Sequence, residues 1–152
     1  MQLKDKYIFD SNSFSSVNEF FEDVVLKETG GSKLSPKHLG DVRIDSTTLI
    51  DVKSINMGKK FHMPNLASQN KLYDYLQDDK NTLMYLLIWY EKDGNNLHIN
   101  KWALKHIEEL DPKCLVVQSQ GLGVLQIKNA NKLEFISKIN RMRAVYCCFK
   151  NS

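Results

Sequence analysis

From Thr82 to Tyr90 the chain reads Thr-Leu-Met-Tyr-Leu-Leu-Ile-Trp-Tyr, a run without a charge, a glycine or a proline. No other feature narrows the choice of fold as much. The run does not alternate, so it is not a strand with one wet face. Apolar, β-branched and aromatic side chains throughout suit a central strand covered on both sides. The stretch 83–90 is also far too short to cross a bilayer. A strand hidden on both faces needs a layer above it and a layer below, and the rest of the chain must supply them.

The flanking sequence offers both helices and strands. Ser16-Val17-Asn18-Glu19 is a capping box, with Ser16 as N-cap and Glu19 at the third helical position. Val17, Phe20, Phe21, Val24 and Val25 then recur at helical spacing until Gly30-Gly31 ends the helix. Residues 41–45 and 49–55 alternate around Ser46-Thr47-Thr48, a hairpin pattern. A second helix is expected over 65–77, with Leu66, Gln69, Leu72, Tyr73 and Leu76 along one face. After the central run, Lys92-Asp93-Gly94-Asn95 turns the chain into a short strand at 97–100. A helix over 102–110 follows, stopped by Asp111-Pro112. Strands at 114–118 and 123–127 flank Gly121, and a last helix carries Leu133, Ile136 and Ile139 inward. This order implies an α/β domain with a mixed central β-sheet flanked by helices.

A length of 152 residues suits one domain, 1–152, with the polar stretch 1–15 as an N-terminal arm. A chain of this size buries enough surface to fold without a staple. Net charge is only +3, so contact with a nucleic acid has to come from a local basic face, not from the global field. The three cysteines, Cys114, Cys147 and Cys148, are odd in number and lack metal-ligand spacing. They read as free thiols in a reducing cytoplasm, not as a disulfide framework or a zinc site. Charged and apolar residues alternate at the start where a signal peptide would be apolar, so neither export nor membrane insertion is expected.

The hairpin carries the chemistry. With a three-residue loop at Ser46-Thr47-Thr48, Arg43 lies opposite Asp51 and Asp41 opposite Lys53. Side chains alternate along a strand, so Asp41, Asp51 and Lys53 share one face while Val42, Ile44, Ile50 and Val52 share the other. Two carboxylates held close repel each other, and a divalent cation relieves that repulsion. Hard Mg²⁺ prefers one or two carboxylates, waters and phosphate oxygens. A lysine beside it can orient the attacking water or steady the growing charge on phosphorus. Asp-x-Lys alone is a weak signal, because 78–80 and 111–113 repeat it at a helix end and in a turn. Only Asp51-Val52-Lys53 falls on an expected strand with an aspartate on its neighbour. The plainer alternative is a solvated hairpin face with a cross-strand salt bridge.

Asp41, Asp51 and Lys53 resemble the D…(D/E)-x-K signature of the PD-(D/E)xK nuclease superfamily, which includes many type II restriction endonucleases and junction resolvases. Asp51-Val52-Lys53-Ser54-Ile55-Asn56 is similar to the Glu-Leu-Lys-Ser-Ile-Asn stretch of the PvuII-like restriction enzymes, as are Lys60-Phe61-His62-Met63 and Leu110-Asp111-Pro112-Lys113 to segments there. Gly40 stands where the motif name has proline, and Asp51 where those enzymes have glutamate. The resemblance implies a restriction-endonuclease-like core and Mg²⁺-dependent cleavage of double-stranded DNA. It assigns Asp41 and Asp51, with Val52 between the motif residues, to the metal and Lys53 to catalysis. Cutting both strands of a palindrome would call for a homodimer. A junction resolvase or a homing endonuclease would use the same site on other DNA. A nucleic-acid-binding module without activity would use the same trio as a surface ion-pair cluster.

Weaker signals surround this core. Gln69 and Tyr73 form a Gln-x-x-x-Tyr pair that supports the site in some nucleases of the superfamily, or else a core tyrosine beside a surface glutamine. Glu19 could reach the metal from the first helix, although its capping role already accounts for it. Lys59, Lys60 and His62 follow the catalytic strand and could meet phosphates and base edges, or form an ordinary polar loop. Gln118, Ser119 and Gln120 could reach adenine edges, or make a plain turn. Lys132, Lys138, Arg141 and Arg143 give the C-terminal segment a basic bias, more often the mark of a solvated face. His98 and His106 lack metal-ligand partners and read as structural.

Overall fold

The computed structural model describes residues 1–60, 62–118 and 123–138. Nine strands and two helices follow in the order β1 (Lys6–Ile8), α1 (Val17–Thr29), β2 (Ser32–Lys33), β3 (Val42–Arg43), β4 (Thr48–Asn56), β5 (Asn65–Ser68), α2 (Gln69–Leu76), β6 (Thr82–Asp93), β7 (Asn96–His106), β8 (Leu115–Gln118) and β9 (Val124–Ile127) among the described residues. Six strands form one sheet in the order β1-β7-β6-β4-β3-β2, and three form a second in the order β5-β9-β8. β4 and β6 run parallel over their full pairing, Thr48 to Asn56 against Thr82 to Tyr90. The other neighbours are antiparallel. The sheet is therefore mixed, as expected, and β5 and α2 lie in the crossover that parallel strands require.

The apolar run forms most of β6, at the centre of the large sheet. Its side chains divide between two cores. Leu86, Ile88 and Tyr90 pack with Val42, Ile50, Val52, Phe21 and Val25 beneath α1. Leu83, Tyr85, Leu87 and Trp89 pack on the other face with Leu72 and Leu76 of α2 and Leu66, Leu115, Leu125 and Ile127 of the small sheet. α1 starts at Ser16, whose hydroxyl accepts the Glu19 N–H at 3.1 Å, and ends at Gly30 in the left-handed region (φ 67°). Phe21 and Val25 on its inner face are fully buried, each contributing about 1.5–3 kcal/mol relative to exposure.

Five local expectations change. Lys6–Ile8 is an edge strand on β7 and Phe9 is buried, so the first residues are tied down where an arm was expected. α2 begins at Gln69, because 65–68 pairs with β9 as a strand. The helix expected over 102–110 is absent, and β7 continues to His106 before a single 3₁₀ turn at Ile107–Glu109. A bulge explains this: Trp89 pairs with Lys101 and Tyr90 with Ile99, leaving Asn100 as the extra residue. Leu97, Ile99, Trp102 and Leu104 thus share a face despite the three-residue step, which imitates helical spacing. Residues 133–138 are not helical, and Phe135 instead bridges Leu110. Ile139 lies outside the described residues.

The fifth change is the hairpin register. Val42 faces Ile50 and Arg43 faces Leu49, two residues away from the expected pairing. Ile44 N–H closes the loop onto the Thr48 carbonyl at 2.9 Å. A slip of two preserves alternation, so every side chain keeps its expected face. It also brings Asp41, not Arg43, across from Asp51.

Candidate active site

β4 has a complete partner on one side and almost none on the other. β3 covers it for two residues only, so from Asp51 onward its backbone meets no strand there. Side chains take that role. The Val52 N–H donates to Asp41 Oδ2 at 2.7 Å, and the Ser54 N–H and hydroxyl both donate to Asn18 Oδ1 of α1 at 2.9 Å. Gly40 delivers Asp41 to this position from a left-handed conformation (φ 78°), which a residue with a side chain adopts only under strain.

Asp51 and Lys53 project from β4 on the same face as Leu49 and Ile55, into a cleft of about 350 Å³ between this edge and the β5–α2 segment. Asp41, His38, Ser68 and Lys71 also line it. Asp51 is buried (6% exposed), and the Lys53 Nζ lies 3.0 Å from its Oδ1. That contact is an ion pair by distance, although by hydrogen-bond geometry this oxygen has no partner among the described residues. Burial pushes the Asp51 carboxyl up to about 7, helped by Asp41 and opposed by Lys53. Beside it in the sheet, Tyr85 is wholly buried, and its phenol is raised by burial and by the two aspartates.

The sequence reading missed one member of the cluster. Glu22, one turn after Asn18 on α1, has its carboxyl pushed up to about 7 by burial and by Asp41, with which it shares a hydrogen bond. Glu19 is not part of the cluster. Its carboxylate takes the Ser15 backbone N–H at 3.4 Å and the Ser15 hydroxyl, at the start of the helix. Asn18 and Glu22 are four residues apart and share a stripe of α1. Two polar residues on a stripe beside the apolar one were the available signal. Among the described residues, no three His, Cys, Asp or Glu side chains stand as a ready metal-ligand set. Glu22, Asp41 and Asp51 instead crowd together, with Glu22 and Asp51 pushed up to about 7.

The remaining residues are dispersed. Val52 buries its side chain under α1 and offers only backbone to the open edge. Gln69 is buried, with its N–H on the Gly123 carbonyl at 3.0 Å and its Nε2 without a hydrogen-bond partner among the described residues. Tyr73 is 43% exposed, so of the two it is the glutamine that is buried and the tyrosine that reaches solvent. Lys59 and Lys60 are exposed on the turn beyond β4, and His62 is half-buried, its imidazole lowered by burial and by Lys59. None of these three lines the cleft. Gln118 ends β8, while Gln120, Ser119, Arg141 and Arg143 lie outside the described residues.

No protein-family model matches the chain, and no curated protein matches it. Among solved structures, NlaIV restriction endonuclease is similar over 96% of this chain and 68% of its own, with a TM-score of 0.58 and 16% sequence identity. The fold is restriction-endonuclease-like. At that identity the likeness is one of fold. What this restriction-endonuclease-like frame contributes is placement: a sheet edge left open between α1 and the β5–α2 crossover, where Glu22, Asp41, Asp51 and Lys53 converge.

Proposed function

We propose that this protein is a Mg²⁺-dependent DNA endonuclease of restriction type, hydrolysing phosphodiester bonds at a short duplex site as a homodimer. The observation that carries this reading is the cleft at the open side of β4, lined by Asp41, Asp51 and Lys53, with Glu22 hydrogen-bonded to Asp41 beside it. The donors fit a hard divalent cation. The three acidic side chains offer carboxylate oxygens, burial and then the charge of Asp41 push Glu22 and Asp51 up to about 7, and Asp51 Oδ1 has no hydrogen-bond partner among the described residues. Asp41 and Asp51 would hold the ion, with the Val52 backbone beside them and Glu22 as a further carboxyl. When bound, the ion supplies an acidified water and neutralises charge on the phosphate.

The protein's own groups do the rest. Lys53 stands over the carboxylates, where its ammonium can donate to the attacking water or to a phosphate oxygen gaining charge. Burial and Asp41 push the Glu22 carboxyl up to about 7, so near neutrality its ionised form can take up the proton that the water releases. Asp41 is held in place by its hydrogen bond from Val52, which fixes one carboxylate before substrate arrives.

The test is cleavage of plasmid and long phage DNA with Mg²⁺ and with EDTA. Discrete fragments that appear only with Mg²⁺ are expected, and sequencing their ends gives the site. Fragments cut at cruciforms, or at one very long site, would reassign the substrate to that of a resolvase or homing enzyme. A folded protein that cuts no DNA with Mg²⁺ or Mn²⁺ would refute the reading. Sedimentation with the cleaved duplex is expected to find two chains per DNA.

A further inference from the structure

Away from the cleft, the small sheet turns an open face outward. Leu115, Val117, Leu125 and Ile127 pack into the core, so alternation points Val116, Gln118, Val124 and Gln126 away from it. The register sets Gln126 between Val116 and Asn65, and sets Val124 beside Gln118. At one end this face runs into the cleft, because Asn65, Ser68 and Val124 line both. At the other end Lys113, Lys128 and Lys132 surround a hollow of about 210 Å³ next to Cys114. All three lysines are exposed, and none is held in an ion pair among the described residues.

The spacing fits one kind of partner. Val124 to Lys128 is four residues along a strand and its exit, about 13 Å at roughly 3.3 Å per residue. The major groove of a DNA duplex is about 12 Å wide. Midway along, Gln126 Nε2 donates to the Met63 carbonyl at 3.0 Å and to Asn65 Oδ1 at 3.1 Å. Those bonds fix both amides in place. They also leave the Gln126 oxygen and the Asn65 nitrogen as a neighbouring acceptor and donor, the pair that an adenine edge requires.

We infer that this face receives duplex DNA. A phosphate of one strand lies in the cleft, Lys113, Lys128 and Lys132 meet phosphates on the far side of the major groove, and Asn65, Gln118 and Gln126 face the base edges between. The inference rests on the nuclease reading and adds the path of the substrate. Positive charge at one end, fixed amides in the middle and the carboxylate cleft at the other end together argue for a nucleic acid.

Binding would be followed by fluorescence anisotropy across a salt series, with every variant carrying Asp51→Asn to prevent cutting. The probes are a random duplex and the duplex site read from cleavage fragments. The triple change Lys113→Ala, Lys128→Ala, Lys132→Ala is expected to weaken both probes at least about tenfold and to lower the salt slope by about 0.9 per lysine lost. The matching Lys→Arg triple keeps the slope. Gln126→Ala and Asn65→Ala are expected to keep the slope and to erode the preference for the cleaved site. If the alanine triple binds with an unchanged slope while protein with Asp51 intact still cuts DNA, the surface assignment falls and the nuclease reading stands. If intact protein neither binds nor cuts duplex, the nuclease reading fails first and this inference falls with it.

Discussion

β4 is one strand with two unlike sides. Toward β6 it pairs in register from Thr48 to Asn56, and its partner residues from Tyr85 to Tyr90 are buried on both faces of the sheet. Toward β3 the ladder stops after two pairs, and an aspartate and an asparagine stand in for the missing strand. The first side holds the molecule together. The second exposes groups that cost stability: a buried carboxyl, a second acid beside it and an ion pair that does not satisfy both. Placing both sides on one strand fixes the carboxylate cluster to a strand of the central sheet, as a precise site would require.

The contrast predicts opposite responses to substitution. On the β6 side, Leu86→Ala or Leu87→Ala leaves a cavity in a fully buried position and should lower stability by about 2–5 kcal/mol. Urea denaturation would show this, and cleavage by the surviving folded fraction should be little changed. On the open side, Asp51→Asn should lower the cleavage rate by at least about a hundredfold, about 2.7 kcal/mol or more of lost transition-state stabilisation. The same change removes a buried charge, so the metal-free protein should become more resistant to urea at neutral pH. A variant that loses activity and stability together would mean that Asp51 serves the fold, and the division between the two sides would fail.

Much of this division was legible in the sequence. The run at 82–90 announced the central strand, and alternation placed Asp41, Asp51 and Lys53 on one face even though the loop was set two residues out. Parity survives an even slip, which is why the face assignment held while the opposing pairs did not. Glu22 escaped notice because its role is tertiary. Helical spacing shows that it lies off the apolar stripe, but only the short β3 brings that stripe beside the aspartates. The capping box drew attention to Glu19, whose local explanation is sufficient. β7 carries a helix-like pattern because the extra residue at Asn100 breaks the two-residue period in mid-strand, and a bulge has no sequence mark beyond the pattern it disrupts. The open edge itself could not be read, since strand length depends on which neighbours are present.

Acidity separates the two sides further. Asp51 and Glu22 titrate near 7 in the folded chain, above the ordinary 3.8 and 4.5 of the unfolded one. Between those values the folded state binds more protons, so stability falls as pH rises from about 4 to about 7. Most of the effect should come from buried Asp51, because Glu22 is half exposed and its share is screened. Urea midpoints of metal-free protein across this window should decline with pH. Asp51→Asn should flatten most of the decline, and Mg²⁺ should flatten it in the unaltered protein by favouring the charged carboxylates. A midpoint that rises with pH would show that the carboxyls are ionised and well paired in the free protein.

The smallest expected effect isolates the backbone role of the open side. Asn18→Ala removes the acceptor for both the Ser54 N–H and its hydroxyl. The site is only partly buried, so water can replace the lost oxygen and the cost should be about 1 kcal/mol. Cleavage should suffer more than this figure implies, because α1 would lose a tether one turn from Glu22. Asn18→Asp restores an acceptor for both donors and should recover stability, although the added charge beside the carboxylates works against activity. If Asn18→Ala leaves urea resistance and cleavage unaltered, the free edge of β4 needs no substitute partner. The idea that side chains standing in for a strand hold the acids in position would then fail, even with the core side behaving as described.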